Sequence, residues 1–376
     1  MENFQSRIIG RDHYIKAFDG LRGLAILAVM FHHYTFYIKP DNTLEKLFIY
    51  FSHLGTYGVD LFFVLSGFLI TGILLDSKGT PHFFRNFYLR RILRIFPLYY
   101  TYLILTFLVF PTVFKLYPTF ENLWILFFTY CSNFIIVKTG QWMHSHLNPT
   151  WSLAIEEQFY IIWPFLVFFF NRNRFKKLCL LIICGAILCR FAMWSTGYNY
   201  ISIYAFTLCR MDSLALGAYF ATLIREPSYN SEHMNKYAKE ITVILLCVFL
   251  FLFRGNLHRE NFQVSVFGYL LVDLFMLQVL IFALYAPPGS YAQNFFSSKL
   301  LVFFGKYSYA IYIFHYPVRE IVRRLFINLK VNEFLGTAIY SQLAFYIVAS
   351  TLSVLTALVS WNLLEKHALK LKKHFY

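Results

Sequence analysis

Charged side chains are scarce in this sequence, and acidic side chains are the scarcest. Asp, Glu, Lys and Arg make up 14% of the 376 residues, with 19 acidic residues against 34 basic ones. A soluble domain normally carries about 25% charged residues. Hydrophobic residues account for 58% of the chain and aromatic residues for 21%. The composition therefore excludes an ordinary soluble domain and favours a protein that crosses a membrane several times.

Cysteine motifs and domain linkers are missing as well. None of the six cysteines belongs to a C-x-x-C pair, and most of them stand in apolar runs: Cys179, Cys184, Cys189 and Cys247. We interpret them as small buried hydrophobic residues rather than disulfide partners, and no metal site is expected. The chain has no Pro/Gly/Ser-rich linker and no obvious internal repeat. A single integral membrane domain is predicted over residues 1–376.

The net charge of +15 does not indicate nucleic acid as a partner. Basic residues are concentrated at 7–16, 78–94, 172–177 and 366–373, beside or between apolar segments. Lys and Arg in short loops orient a membrane protein by staying in the cytoplasm. We therefore expect a multi-pass protein of the inner (plasma) membrane, with both termini cytoplasmic and membrane lipids around it.

Apolar segments long enough to cross a bilayer, about 17–25 residues each, recur along the chain. About ten spans are predicted, near residues 18–38, 47–75, 95–113, 151–171, 178–195, 201–224, 240–254, 264–286, 299–318 and 337–364. Segment 121–137 is expected to be re-entrant or surface-lying, because a full crossing would place the 172–177 cluster outside. The predicted fold is thus all-α, a polytopic transmembrane helix bundle.

One basic cluster conflicts with this arrangement. Arg319, Arg323, Arg324 and Lys330 would lie on the outer side of the membrane. Two explanations stay open: the cluster lines a pocket for an anionic substrate, or the predicted order of crossings is wrong.

A polar stripe runs along the first apolar segment, FDGLRGLAILAVMFHHY (18–34). Arg22 and His33 are eleven positions apart, which places them on one helix face about 16 Å apart. Asp19 lies one turn before Arg22, whereas His32 points about 80° away. Ionisable groups at membrane depth usually face the protein interior or a wet cavity. A neutral histidine there could act as a general base; alternatively, Asp19 and Arg22 form a structural pair.

The same segment resembles the opening motif of the acyltransferase 3 family. Further family blocks follow in order: GVDLFFVLSGFLIT (58–71), FYLRRILRIFPLYY (87–100), PTWSLAIEEQFYIIWP (149–164), CRMDSLALGAYFA (209–221) and FFGKYSYAIYIFHYPV (303–318). Members are integral membrane O-acyltransferases that move acyl groups, often acetyl, onto surface glycans, lipids, peptidoglycan or small molecules. Family members carry an essential arginine and an essential histidine with ten residues between them. Arg22 and His33 match this spacing.

The resemblance implies acyl-CoA, with acetyl-CoA as the default, as co-substrate. Arginine binds phosphates in bidentate fashion, so donor binding is predicted for Arg22, Arg90, Arg91 and Arg94. Some family members have R-x-R there, whereas this sequence has R-R-x-x-R. An ordinary cytoplasmic cluster of basic residues is the alternative. Catalytic roles are expected for His33, Arg22 and Glu156. Glu156 could orient the histidine, bind the acceptor or pair with Arg210.

Acceptor binding is predicted for Asp60, Tyr160, Arg210 and His315. Glu156 and Tyr160 are four residues apart and share a helix face. Arg210 and Asp212 do not face each other on a helix, so each needs a partner from elsewhere. His315 stands at a predicted outer helix end, where an interfacial role is the alternative.

The sequence thus predicts an O-acyltransferase whose acceptor is a carbohydrate or glycolipid hydroxyl, with His33 as general base. Direct attack and a relay through an acyl-protein intermediate both stay open. The alternative function is a proton-coupled polytopic transporter or flippase, in which the Asp–Arg–His stripe relays protons.

Overall fold

The computed structural model describes residues 15–35, 43–115, 121–143, 146–227, 229, 260–331 and 338–375. Within these ranges the regular secondary structure is helical and contains no strand. The prediction of an all-α fold is therefore confirmed for the described part of the chain. The predicted span 240–254 lies outside the described residues.

The α-helices of the described ranges are numbered in chain order. They are α1 Lys16–Tyr34, α2 Thr43–Leu54, α3 Gly58–Ser77, α4 Phe83–Ile104, α5 Phe110–Phe114, α6 Trp124–Phe128, α7 Asn133–Thr139, α8 Thr150–Phe169, α9 Arg172–Ser195, α10 Tyr200–Ala205, α11 Thr207–Leu223, α12 Tyr269–Leu284, α13 Tyr291–Phe296, α14 Lys299–Lys306, α15 Ser308–Asn328, α16 Ala338–Ser360 and α17 Lys366–Lys370. Three π-helical turns, Leu105–Val109, Val264–Gly268 and Trp361–Glu365, extend α4, precede α12 and join α16 to α17.

Six helical stretches in the described ranges are long and apolar enough to cross a membrane. They are Glu45–Ser77, Phe83–Val113, Thr150–Phe169, Arg172–Ser195, Val264–Leu284 and Ile339–His374. The chain is thus a helical membrane protein with several candidate spans, but the predicted count of about ten is not confirmed.

Other predicted spans are interrupted. Segment 201–224 divides at Phe206 into α10 and α11, and segment 299–318 divides at Tyr307 into α14 and α15. Segment 121–137 forms two short helices, α6 and α7, joined by a turn in which Tyr130 has a φ of 54°. Neither helix is long enough to cross a bilayer, which agrees with the predicted re-entrant or surface segment.

Helix α1 packs against α3, α14 and α15, while α3 also packs against α11. Glycine permits the closest of these contacts. A Cβ atom on Gly67 of α3 would collide with the backbone carbonyl of Leu214 in α11, and one on Gly217 with that of Val64. Such contacts at small residues are typical of membrane helices.

Gly67→Ala should destabilise the bundle, because the new methyl group forces α3 and α11 apart. We expect a loss of about 1–3 kcal/mol or more, measured as a lower melting temperature in detergent. Gly185→Ala in α9 is the matched control, since a Cβ there meets no atom within 4 Å. Equal melting temperatures for the two variants would contradict the close-packed α3–α11 contact.

Candidate functional site

The two ends of the polar stripe of α1 line two different cavities. Arg22, which pairs with Asp19 through Nη1 at 3.0 Å, lines one of them. His33, near the other end of α1, lines the second. We call them the arginine cavity and the histidine cavity. Arg22 and His33, which were predicted to share a helix face, therefore line different cavities near opposite ends of α1.

The arginine cavity encloses about 190 Å³ between α1, α3, α4, α8 and α15. Its polar lining consists of Arg22, Ser66, Arg91, Arg94, Ser152, Glu156, Glu157, Tyr160, Ser308, Tyr309 and Tyr312. Apolar side chains of α3 complete the wall, among them Phe62, Leu69 and Ile73. A cluster of cations beside an apolar channel suits a ligand with a phosphate end and a less polar arm.

Two predicted residues of α8 enter this cavity. Tyr160 shares a hydrogen bond with the Ser66 hydroxyl (2.6 Å), and the Arg91 guanidinium lies 5.7 Å from the Tyr160 ring centre. Glu156 lines the same cavity, together with Arg22 and Arg91. Glu156 is absent from the lining of the histidine cavity. The arrangement thus groups Glu156 with the arginines rather than with His33.

Arg90 differs from its neighbours on α4. Its Nε donates a hydrogen bond to the backbone carbonyl of Phe375 at 2.8 Å, and Arg90 does not line the arginine cavity. Of the predicted donor-binding arginines, the structure therefore brings Arg22, Arg91 and Arg94 together and directs Arg90 to the C-terminal turn.

The histidine cavity encloses about 280 Å³. Aromatic and polar side chains line it: His32, His33, Thr35, Thr56, Trp142, Asn148, Trp151, Tyr204, Tyr312, Tyr316 and Arg319. Such a lining suits a sugar, whose rings stack on aromatic faces and whose hydroxyls need hydrogen-bond partners. Of the four residues of the basic cluster, Arg319 lines this cavity, whereas Arg323, Arg324 and Lys330 do not. The choice between the two explanations for the cluster therefore stays open.

Hydrogen bonds from His33 to His315 and from His315 to the backbone define which ring nitrogen of each histidine carries the proton. His315, which is fully buried, approaches the Tyr312 carbonyl with Nδ1 at 2.6 Å. A carbonyl only accepts, so this Nδ1 carries the hydrogen and Nε2 of neutral His315 is an acceptor. His33 Nδ1 lies 2.8 Å from that Nε2 and must donate to it. The lone pair of neutral His33 is thereby placed on Nε2.

Val59 and Tyr312 line both cavities and so form the boundary between them. The Tyr312 hydroxyl shares a hydrogen bond of 2.5 Å with Ser152, which lines the arginine cavity. The sequence reasoning missed Tyr312. Its position three residues before His315, on the same helix face, was the available signal.

Asp60 and Arg210 line neither cavity. Both are fully buried and form an ion pair, with Asp273 at 3.7 Å from Arg210. Asp212 pairs instead with Arg190, Nη1 to Oδ2 at 2.6 Å. The expectation that Arg210 and Asp212 find separate partners is confirmed. The role of Asp60 and Arg210 in acceptor binding stays a prediction, and the suggested Arg210–Glu156 pair is not formed.

His144 lies outside the described residues. His146 is buried in the loop before α8, and burial lowers the pKa of its imidazole to about 4. Its backbone carbonyl accepts a hydrogen bond from the Tyr102 hydroxyl at 2.6 Å. In the described part of the chain, no group of three or more His, Cys, Asp or Glu residues could hold a metal ion.

The helical bundle thus holds one cavity that bears arginines and a second that bears histidines, an arrangement compatible with an integral membrane acyltransferase. Comparison with known proteins agrees: the family model described as an acyltransferase domain matches residues 15–361. The chain therefore belongs to that acyltransferase family, and the family prediction is confirmed. No solved structure matches the chain.

Curated relatives carry a more specific description. The peptidoglycan O-acetyltransferase OatA of Listeria monocytogenes is 33% identical over 326 residues, covering 81% of this chain and 49% of the relative. The putative peptidoglycan O-acetyltransferase YrhL of Bacillus subtilis is 31% identical, covering 89% and 54%. The O-acetyltransferase OatA of Staphylococcus aureus is 26% identical, covering 94% and 57%. The chain thus spans about half the length of these relatives.

Asp60→Asn should lower stability, because it leaves the buried Arg210 guanidinium without its ionised partner. Breaking a buried pair costs about 3–5 kcal/mol. The measurement is the yield and melting temperature of the detergent-solubilised protein. Lys299→Ala, a change at an exposed position at the start of α14, serves as the control. A wild-type melting temperature with weakened acceptor use would instead favour direct acceptor binding by Asp60.

Proposed function

We propose that this chain is a membrane O-acetyltransferase that moves an acetyl group from acetyl-CoA to a hydroxyl of a cell-envelope glycan. The observation that carries the proposal is the pair of cavities at the two ends of the α1 stripe, separated by Val59 and Tyr312. The names of the relatives support peptidoglycan or a related glycan as acceptor.

The donor binds in the arginine cavity. Arg91 and Arg94 are one turn apart on α4, and Arg22 faces them from α1. Their guanidinium groups hold the phosphates of CoA, for which bidentate hydrogen bonding is suited. The distance from Arg22 to His33 along α1 is about 16 Å, a length that the pantetheine arm spans when extended. The thioester then reaches the boundary at Val59 and Tyr312.

The acceptor hydroxyl binds in the histidine cavity and is deprotonated there. His33 Nε2, which carries the lone pair, takes the hydroxyl proton as the oxygen attacks the thioester carbonyl. A C–O ester bond forms and the C–S bond breaks. The proton on His33 then passes to the departing thiolate, which leaves as the free thiol of CoA. Through its Nε2, His315 holds His33 in the required tautomer and stabilises the imidazolium.

His33→Ala should abolish acetyl transfer, with a loss of at least about 10²–10⁴-fold in kcat for a general base. His315→Ala should lower kcat less severely, because His33 keeps its ring but loses its fixed tautomer. The measurement is radiolabelled acetyl transfer by purified protein of verified folding. His367→Ala, an exposed change on α17, is the control. Undiminished transfer by His33→Ala would contradict this mechanism.

Arg91→Ala should raise the KM for acetyl-CoA about tenfold or more, since a hydrogen bond to a charged group contributes about 1.5–3 kcal/mol. The matched control is Arg85→Ala on the same helix, where the side chain is exposed and lines neither cavity. Steady-state kinetics with acetyl-CoA as the varied substrate gives the KM of each variant. Identical KM values for both variants would contradict donor binding by Arg91.

A further inference from the structure

The C-terminal turn Leu371–His374, which follows α17, lies against the arginine-bearing helix α4. Arg90 fixes this contact by donating its Nε hydrogen to the Phe375 carbonyl at 2.8 Å. The C-terminal segment therefore lies beside the helix that supplies Arg91 and Arg94 to the arginine cavity.

The segment is amphipathic, and one of its cations faces the protein. Glu365 is buried and Lys372, two helical turns later, is partly buried. The other basic residues of the segment are exposed: Lys366, His367, Lys370, Lys373 and His374. Lys372 is therefore the one basic residue of the segment 366–374 that is not exposed.

Lys372 adjoins the cationic cluster. Helix α4, which bears Arg90, Arg91 and Arg94, packs against α17 and against the turn that contains Lys372. Two of these arginines, Arg91 and Arg94, line the arginine cavity. Across the described ranges, neither Arg91, Arg94 nor Lys372 forms an ion pair with an acidic side chain. Glu156 and Glu157 line the same cavity, but the cations outnumber them, and an excess of positive charge attracts a polyanion.

We propose that Lys372 is a further binding residue for the phosphate groups of the CoA donor, and that Arg90 is a positioning residue that holds the C-terminal turn over the arginine cavity. The inference rests on the proposed function. CoA carries a diphosphate and a 3′-phosphate, so its negative charge is spread over several phosphate groups that need several cationic partners. Lys372 supplies a point charge from the C-terminal turn. Arg90 does not contact the donor; it holds that turn, and therefore Lys372, in place.

The experiment compares Lys372→Ala with Lys373→Ala in the full-length purified protein. The two residues are adjacent and equally charged, but Lys373 is exposed. Acetyl-CoA and acetyl-pantetheine, which lacks the phosphates, are the two donors. We expect Lys372→Ala to raise the KM for acetyl-CoA about three- to tenfold, with kcat and the KM for acetyl-pantetheine unchanged. Lys373→Ala should behave as wild type.

Arg90→Ala provides the second arm and should reproduce the Lys372→Ala rise in KM for acetyl-CoA. Arg90→Gln, which keeps an N–H donor, should restore part of the affinity for acetyl-CoA.

Equal KM values for Lys372→Ala, Lys373→Ala and wild type would overturn the inference while leaving the proposed function intact. An equal loss with both donors would also overturn it, since that is the signature of a structural role. A wild-type protein without acetyl-CoA turnover would overturn the proposed function and the inference together.

Discussion

The ionisable side chains of helix α1 need partners within the helical bundle, and meeting this need organises the protein. Such groups are stable only when they face protein partners or water, and α1 carries Asp19, Arg22 and His33 along one face. The bundle meets this requirement by surrounding α1 with α3, α14 and α15, and by opening a cavity at each end of its stripe. Gly20 and Gly23 let α1 approach the backbone of α13 and α14 closely, at Phe296 and Leu301.

The two cavities differ in the side chains that line them: three arginines in one, two histidines and several aromatic rings in the other. In the proposed function, the first cavity binds a phosphate-bearing donor and the second binds a sugar. Tyr312 links them, because its side chain stands at their boundary and its carbonyl accepts the His315 hydrogen. The backbone of α15 thus determines the tautomer of His315, which in turn determines that of His33. Helix α15 therefore contributes Tyr312 to the boundary of both cavities and also fixes the tautomer of His33, the proposed base.

Local periodicity predicted the parts of this arrangement that lie within one helix. The shared face of Arg22 and His33 follows from 3.6 residues per turn, and the need of Arg210 and Asp212 for separate partners follows from their spacing. Contacts between distant segments were not accessible in this way. The His33–His315 hydrogen bond spans 282 positions, and the Arg90–Phe375 bond spans 285. The breaks at Phe206 and Tyr307 likewise escaped a hydropathy pattern that is continuous across them.

The central claim is that the acetyl group enters through the arginine cavity and leaves through the histidine cavity. Sealed proteoliposomes test it most directly, with radiolabelled acetyl-CoA outside and a glycan acceptor trapped inside. The account predicts acetylated acceptor in the lumen of intact vesicles, and none with His33→Ala protein at equal incorporation. Acetylation that occurs only when donor and acceptor are on the same side of the bilayer would contradict it.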